Sequence, residues 1–140
     1  MDTVDQQTRS IIMSRIKSKN TTPELRFRKG LFARGYRYLI HGKLPGKPDL
    51  VFPKYKSVIF VNGCFWHGHD CPRFRIPSTN VDYWKAKFDR NMANDKRNHE
   101  ALRSLGWRVL VIWECMLTSK KICASIELAE DWLVSADVHL

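Results

Sequence analysis

The stretch Ser57-Val58-Ile59-Phe60-Val61-Asn62-Gly63-Cys64 opens a unit that closes at Arg108-Val109-Leu110-Val111-Ile112-Trp113. Each end holds a short apolar run of strand length. Between them, Asn80 to Leu105 reads as one long helix. Trp84, Phe88, Asn91 and Asp95 recur at spacings of three and four, so they share a face. Gly106 should stop that helix. A strand, a long helix and a second strand form a crossover, and a crossover makes its two strands parallel. Just upstream, Asp49-Leu50-Val51-Phe52 and the 57–61 run flank Pro53-Lys54-Tyr55-Lys56, which reads as an antiparallel hairpin. Parallel and antiparallel pairings on one strand imply an α/β fold with a mixed central sheet flanked by helices.

The remaining segments fit around that centre. Thr21-Thr22-Pro23-Glu24 is a helix start: a hydroxyl cap, a proline in the first turn and an acid at the positive end of the dipole. That helix carries Leu25, Leu31 and Phe32 on its apolar side, and Gly35 should end it. Tyr36 to Ile40 reads as a short strand, and His41 to Pro48 as a loop. Val109 to Trp113 suits a buried strand, and Lys120 to Val134 a closing amphipathic helix. Residues 5–17 place Ile12, Met13 and Ile16 at helical spacing among Arg9, Arg15, Lys17 and Lys19, as a helix or as a mobile basic arm. A length of 140 residues fits a single domain spanning 1–140, with 1–20 as the arm. No apolar run reaches membrane-spanning length. The first residues lack the basic and apolar regions of a secretory signal, so the cytosol is the expected compartment.

Charge points to a polyanionic partner. The net charge is +10, with a pI near 9.7. Residues 1–60 hold 13 Lys and Arg against 4 Asp and Glu, whereas residues 61–140 hold 11 against 10. A solvated basic surface would give the same total. The concentration of charge in the first part favours nucleic acid.

Four cysteines occur, Cys64, Cys71, Cys115 and Cys123. In a reducing compartment they read as thiols or metal ligands. Neighbouring parallel strands bring their C-terminal ends together, so Cys64 and Cys115 should meet at one sheet edge. His69 and Cys71 lie within loop reach of Cys64. The four make a Cys3His set of the closed, structural zinc type. The competing reading is two core cysteines and an unrelated histidine. Cys123 reads as a small hydrophobe of the last helix.

The hairpin places a second site. The start of its first strand lies beside the end of its second, so Asp49 should sit near the Val61 carbonyl. A carboxylate and a backbone carbonyl suit Mg²⁺, which can activate water and stabilise a leaving oxygen in phosphodiester cleavage. His67 is the candidate general base, or else a bystander or an alternative zinc ligand. Asp95 either orients a histidine or pairs with Lys96 or Arg97 at the surface. Glu24 has a structural reason to exist as a capping-region acid. Phe65 and Trp66 are adjacent aromatics on a loop; they either wedge between DNA bases or cover the zinc site, and Trp84 could join either group.

These residues closely resemble the very short patch repair endonucleases, the DNA mismatch endonucleases of bacteria. The matching features are Arg9-Ser10 with Met13, Thr22-Pro23-Glu24-Leu25, and Leu44-Pro45-Gly46-Lys47-Pro48-Asp49. They continue through Gly63-Cys64-Phe65-Trp66-His67-Gly68-His69-Asp70-Cys71, Trp84, Asn91, Asp95, Gly106-Trp107-Arg108 and Trp113-Glu114-Cys115, in order, over residues 8–117. The resemblance implies a fold like that of type II restriction endonucleases. It implies Mg²⁺-dependent nicking 5′ to the T of a T:G mismatch left by deamination of 5-methylcytosine, in functional partnership with a cytosine-5 methyltransferase. Asp49 and the Val61 carbonyl would hold Mg²⁺. His67 would act on the attacking water, supported by Glu24, Asn62 and Asp95. Cys64, His69, Cys71 and Cys115 would hold structural Zn²⁺. Phe65, Trp66 and Trp84 would insert beside the mismatch, and the arm with Arg9 and Arg15 would grip the duplex. Mismatch-repair proteins would be further partners, and an asymmetric lesion suits a monomer associated with the nucleoid.

Where the family's usual pattern has Thr-His before the glycine, this chain has Val61-Asn62. A backbone ligand survives that change; a titratable group at 62 does not. Two other readings stay open on the sequence: a zinc-stabilised DNA-binding module without catalysis, and a nuclease of the same fold with other DNA specificity.

Overall fold

A computed structural model describes residues 21–40, 43–64 and 78–136. The expected arm (1–20), most of the cysteine–histidine loop (65–77) and residues 41–42 and 137–140 lie outside the described residues.

The unit that decides the fold is present. Strand β3 (Ser57–Asn62) pairs in parallel with β4 (Arg108–Trp113), in register from Ser57↔Arg108 to Asn62↔Trp113. Helix α2 (Val81–Ser104) joins them. On its other side β3 pairs antiparallel with β2 (Leu50–Phe52), which pairs with β1 (Leu39–Ile40), giving the order β1-β2-β3-β4. Helices α1 (Thr22–Ala33) and α3 (Ile122–Val134) and two 3-10 turns, Pro53–Tyr55 and Glu114–Leu117, complete the described elements.

Alternation along the strands sorts the side chains into two layers. Leu50, Phe52, Ile59, Val61 and Ile112 face α1 and α3, packing on Phe27, Leu31, Ile126, Ala129 and Leu133. Val51, Val58 and Phe60 face the opposite way, with Leu102 of α2. The sheet is therefore covered on both faces, which explains why every residue of β3 is buried.

The caps follow the sequence. Thr21 Oγ1 accepts from the Glu24 N–H at 3.3 Å, and a proline occupies the first turn. At the end of α2 the Trp107 N–H reaches Leu102 O and the Gly106 N–H reaches Arg103 O, both at 3.0 Å. This is a Schellman stop, and the positive φ of 88° explains the glycine. Trp107 and Leu102 then pack together.

Four local expectations need correction. Strand β1 is two residues long, not five. Phe27, not Phe32, is the aromatic that α1 buries: Phe32 is 51% exposed, with the Arg37 guanidinium 3.9 Å from its ring centroid. Strand β4 is mostly half-buried, because it is the last strand in the sheet order. Cys123 is exposed: Ser125, Ile126, Ala129 and Leu133 define the inward stripe of α3, and position 123 falls off it.

Candidate active site at the carboxyl end of the central strands

The hairpin brings Asp49 and Val61 together. The Val61 N–H donates to Asp49 Oδ2 at 2.7 Å, and Asp49 is only 5% exposed. The short distance fits an ionised acceptor. A strand residue directs its N–H and C=O towards the same neighbour. The Val61 carbonyl thus lies on the Asp49 side, past Leu50, the first residue of β2 to pair. A hard carboxylate oxygen and a backbone carbonyl on one side of a strand end are a fitting donor pair for a hard divalent cation.

Helix α2 runs back along β3. Leu102 lies in one buried cluster with Val58 and Phe60, and the His99 ring lies 4.8 Å from that of Phe60. Four residues earlier on the helix is a step of about 6 Å, and two residues onward in a strand is about 6.6 Å. Asp95 therefore comes level with Asn62. By alternation Asn62 shares the α2-facing side with Phe60 and Val58; it is buried, at 5% exposure. Asp95 is half-buried on the inward face of α2, in phase with Trp84, Phe88 and Leu102. Its neighbour Arg97 hydrogen-bonds Asn94 at 2.6 Å.

Glu24 reaches the same end of the sheet from the other face. The chain after α1 meets the hairpin turn, since the Tyr36 and Tyr55 ring centroids are 6.0 Å apart. The start of α1 accordingly points the opposite way, towards the end at which β3 finishes. Glu24 is 1% exposed. That is far more burial than capping a helix requires, and Arg28 Nη1 reaches Glu24 Oε2 at 3.3 Å.

Cys64 and Cys115 each lie two residues beyond the last parallel pair, Asn62↔Trp113, so both sit past the same sheet end. Cys64 is 2% exposed; Cys115 is half-buried in the 3-10 turn Glu114–Leu117. Thiols there have the donor chemistry of a structural zinc site. Among the described residues no three histidine, cysteine or acidic side chains converge as a metal group. The other expected ligands, His69 and Cys71, lie outside the described residues, as do His67, Phe65, Trp66, Arg9 and Arg15.

Trp84 is placed differently from an exposed wedge. It is 9% exposed and stacked on Phe88, ring centroids 5.8 Å apart, with the Lys87 ammonium 5.7 Å from its ring centroid. Insertion into DNA would require that ring to be uncovered. The exposed aromatic of that turn is Tyr83, at 55%, which the sequence reading passed over. It also passed over Arg28, although the i, i+4 spacing to Glu24 was a usable signal.

Known proteins are similar to this chain in sequence and in fold. The family model described as DNA mismatch endonuclease Vsr matches residues 1–73. The type II nicking enzyme V.NmeAIP of Neisseria meningitidis is 47% identical over 116 residues, covering 82% of this chain and 83% of the relative. The DNA mismatch endonuclease Vsr of Escherichia coli is 38% identical over 136 residues, covering 94% and 87%. Among solved structures, the catalytic domain of the homing endonuclease I-Bth0305I superposes with a TM-score of 0.56 at 26% identity, over 84% of this chain and 98% of that one. With a mixed sheet, a buried carboxylate at its strand ends and relatives of this identity and coverage, the chain belongs to the Vsr family of DNA mismatch endonucleases.

Proposed function

We propose that this protein hydrolyses one phosphodiester bond of duplex DNA 5′ to the T of a T:G mismatch, with Mg²⁺ as the catalytic ion and Zn²⁺ as a structural one. The observation that carries the reading is the buried Asp49 carboxylate, fixed by the Val61 N–H at the carboxyl end of the central strands. A carboxylate drawn out of water at a strand end and aimed by a 2.7 Å hydrogen bond is a hard, oriented oxygen donor of the kind that divalent cations take in phosphodiester chemistry.

Mg²⁺ held there would polarise the scissile phosphate and lower the pKa of the attacking water. Asp49 Oδ1 and the Val61 carbonyl are the groups that would hold it. The Val61 N–H occupies Asp49 Oδ2 and so fixes the plane of the carboxylate. His67 takes the proton of the attacking water, with Asp95 and Glu24 as the acids that orient groups around it. Asn62 contributes hydrogen bonding without a titratable proton. Cys64 and Cys115, with His69 and Cys71, hold zinc and tie the loop after β3 to the end of β4. Phe65 and Trp66 meet the bases beside the mismatch, and Arg9 and Arg15 meet phosphates. Repair of deaminated 5-methylcytosine places the protein alongside a cytosine-5 methyltransferase.

One panel of end-labelled duplexes tests the reading: T:G, other mismatches and fully paired DNA, each with Mg²⁺ or EDTA. The expected result is a single-strand nick in T:G duplexes only, and only with Mg²⁺. Binding without cleavage would mark a DNA-binding module. Cleavage of paired DNA would mark a nuclease of other specificity.

A further inference from the structure

We infer that Arg28 is a positioning residue for the nicking reaction, acting through Glu24; this rests on the function proposed above. Glu24 is 1% exposed, and because the chain after α1 meets the hairpin turn through Tyr36 and Tyr55, the first turn of α1 lies towards the opposite end of the sheet, the end at which β3 finishes. A carboxylate so far from water keeps its charge only beside a compensating cation or strong donors. Arg28 supplies one: its Nη1 lies 3.3 Å from Glu24 Oε2, and its own side chain is 15% exposed. The pair lies below the helix surface, unlike most i, i+4 pairs, so solvent and salt screen it weakly.

The geometry of Arg28 is itself set from outside its helix. Tyr38 Oη donates to the Arg28 carbonyl at 2.9 Å. The Tyr38 ring is wedged between Phe52 of β2, at 5.7 Å, and Phe32 of α1, at 6.3 Å, both edge-on. Burial holds the Tyr38 hydroxyl protonated to higher pH than usual, with Arg28 opposing weakly, so Tyr38 remains a donor. A chain of contacts thus runs from the sheet, through Tyr38, to the turn that bears Arg28 and on to Glu24. Phe52 lies two residues along β2 from Leu50, the residue after Asp49. The same strand therefore sets both Asp49 and, at one remove, Glu24.

Arg28 has three candidate roles, and each leaves its own signature. If it acts through Glu24, Arg28→Met lowers the single-turnover rate about 10- to 100-fold, the range seen when a group that orients an active-site ligand is lost. DNA affinity and its salt dependence then stay put. If it contacts phosphate, affinity falls and the salt slope drops by about one. If it merely stabilises the helix, neither changes beyond the loss of folded protein.

The experiment is a double-mutant cycle on the full-length protein with a T:G duplex and Mg²⁺: wild type, Arg28→Met, Glu24→Gln, the double variant and Arg28→Lys. Rates are corrected for the folded fraction measured by circular dichroism. The expected result is that Arg28→Met slows nicking in the wild-type background but adds nothing to Glu24→Gln, and that Arg28→Lys recovers most of the rate. Additive effects would overturn the inference, as would full activity in Glu24→Gln or Arg28→Met. If Arg28→Met fails to fold, the double variant removes both charges together and Arg28→Lys keeps the cation, so the comparison with Glu24→Gln still decides. Absence of nicking by the wild type would instead count against the proposed function.

Discussion

Replacing Asp49 separates what its carboxylate does for the fold from what it does for chemistry. Asp49→Asn keeps the shape and offers Oδ1 as a neutral acceptor for the Val61 N–H. A hydrogen bond to a charged group contributes about 1.5–3 kcal/mol net and a neutral one about 0.5–1.5, so roughly 1 kcal/mol of hydrogen bonding is lost. Relief from burying a charge at 5% exposure offsets part of that. Unfolding entropy scales to about 0.3 kcal/mol/K for a chain of 140 residues, so 1 kcal/mol moves Tm by about 3 °C. The Asn variant should therefore melt within about 4 °C of wild type. Asp49→Ala leaves the buried N–H without its acceptor, which costs about 1–3 kcal/mol and lowers Tm by roughly 3–10 °C. Both variants remove an anionic oxygen from the proposed Mg²⁺ site. Both should cut single-turnover nicking of a T:G duplex at least ~10²-fold, by analogy with the loss of one preorganised electrostatic group. Differential scanning fluorimetry and a gel-based nicking assay measure the two effects on the same samples. An Asn variant that nicks at the wild-type rate would remove Asp49 from the chemistry. An Asn variant that melts 10 °C lower would show that the carboxylate serves the fold instead.

Three further outcomes are expected. Wild-type protein should carry about one zinc per chain, and Cys115→Ser should lose it and melt lower; elemental analysis with a melt checks this, and zinc-free wild type that folds normally would refute the site. The buried Tyr36 hydroxyl is pushed up to about 12 from 10.0, by burial first and by Glu130 second. The folded protein thus holds that proton more tightly, so its contribution is complete below pH 10 and is lost as pH rises towards 12; urea midpoints from pH 8 to 11.5 should fall more steeply in wild type than in Tyr36→Phe. Leu102→Ala, at a site with no exposure between α2 and the sheet, should cost about 2–5 kcal/mol and roughly 7–17 °C of Tm. Such a variant melting within 2 °C of wild type would contradict the packing described.

The sequence exposed the sheet centre because β3 and β4 are continuous apolar runs joined by a strongly phased helix, and crossover geometry then leaves one pairing. The Asp49–Val61 contact was legible for a similar reason: a short hairpin aligns the first residue of one strand with the last of the other. The inward stripe of α1 was not. It runs Glu24, Phe27, Leu31, so it begins with an acid, and apolar spacing alone favours Phe32 over Phe27. The half-burial of β4 was hidden because an edge position depends on strand order, which no local run encodes. Arg108 starts a strand and belongs to Gly106-Trp107-Arg108, and neither position names its partners. It reaches Ser57 Oγ at 3.2 Å, the Trp132 carbonyl at 2.8 Å and Ser135 Oγ at 3.0 Å. It thereby ties the far end of the sheet to the end of α3, a long-range contact without local pattern.

The opposed courses of α2 and β3 limit how this chain can vary in length. Leu102, in its cluster with Val58, and His99, against Phe60, act as two pins between a helix and a strand running in opposite directions. One residue inserted between Asp95 and His99 would turn Asp95 by about 100° away from the sheet while the pins stayed in place. One residue inserted after His99 would break the pins themselves. The placement of Asp95 that the proposed reaction needs and the core packing thus share the same eight residues of helix, and an insertion or deletion there disturbs one or the other.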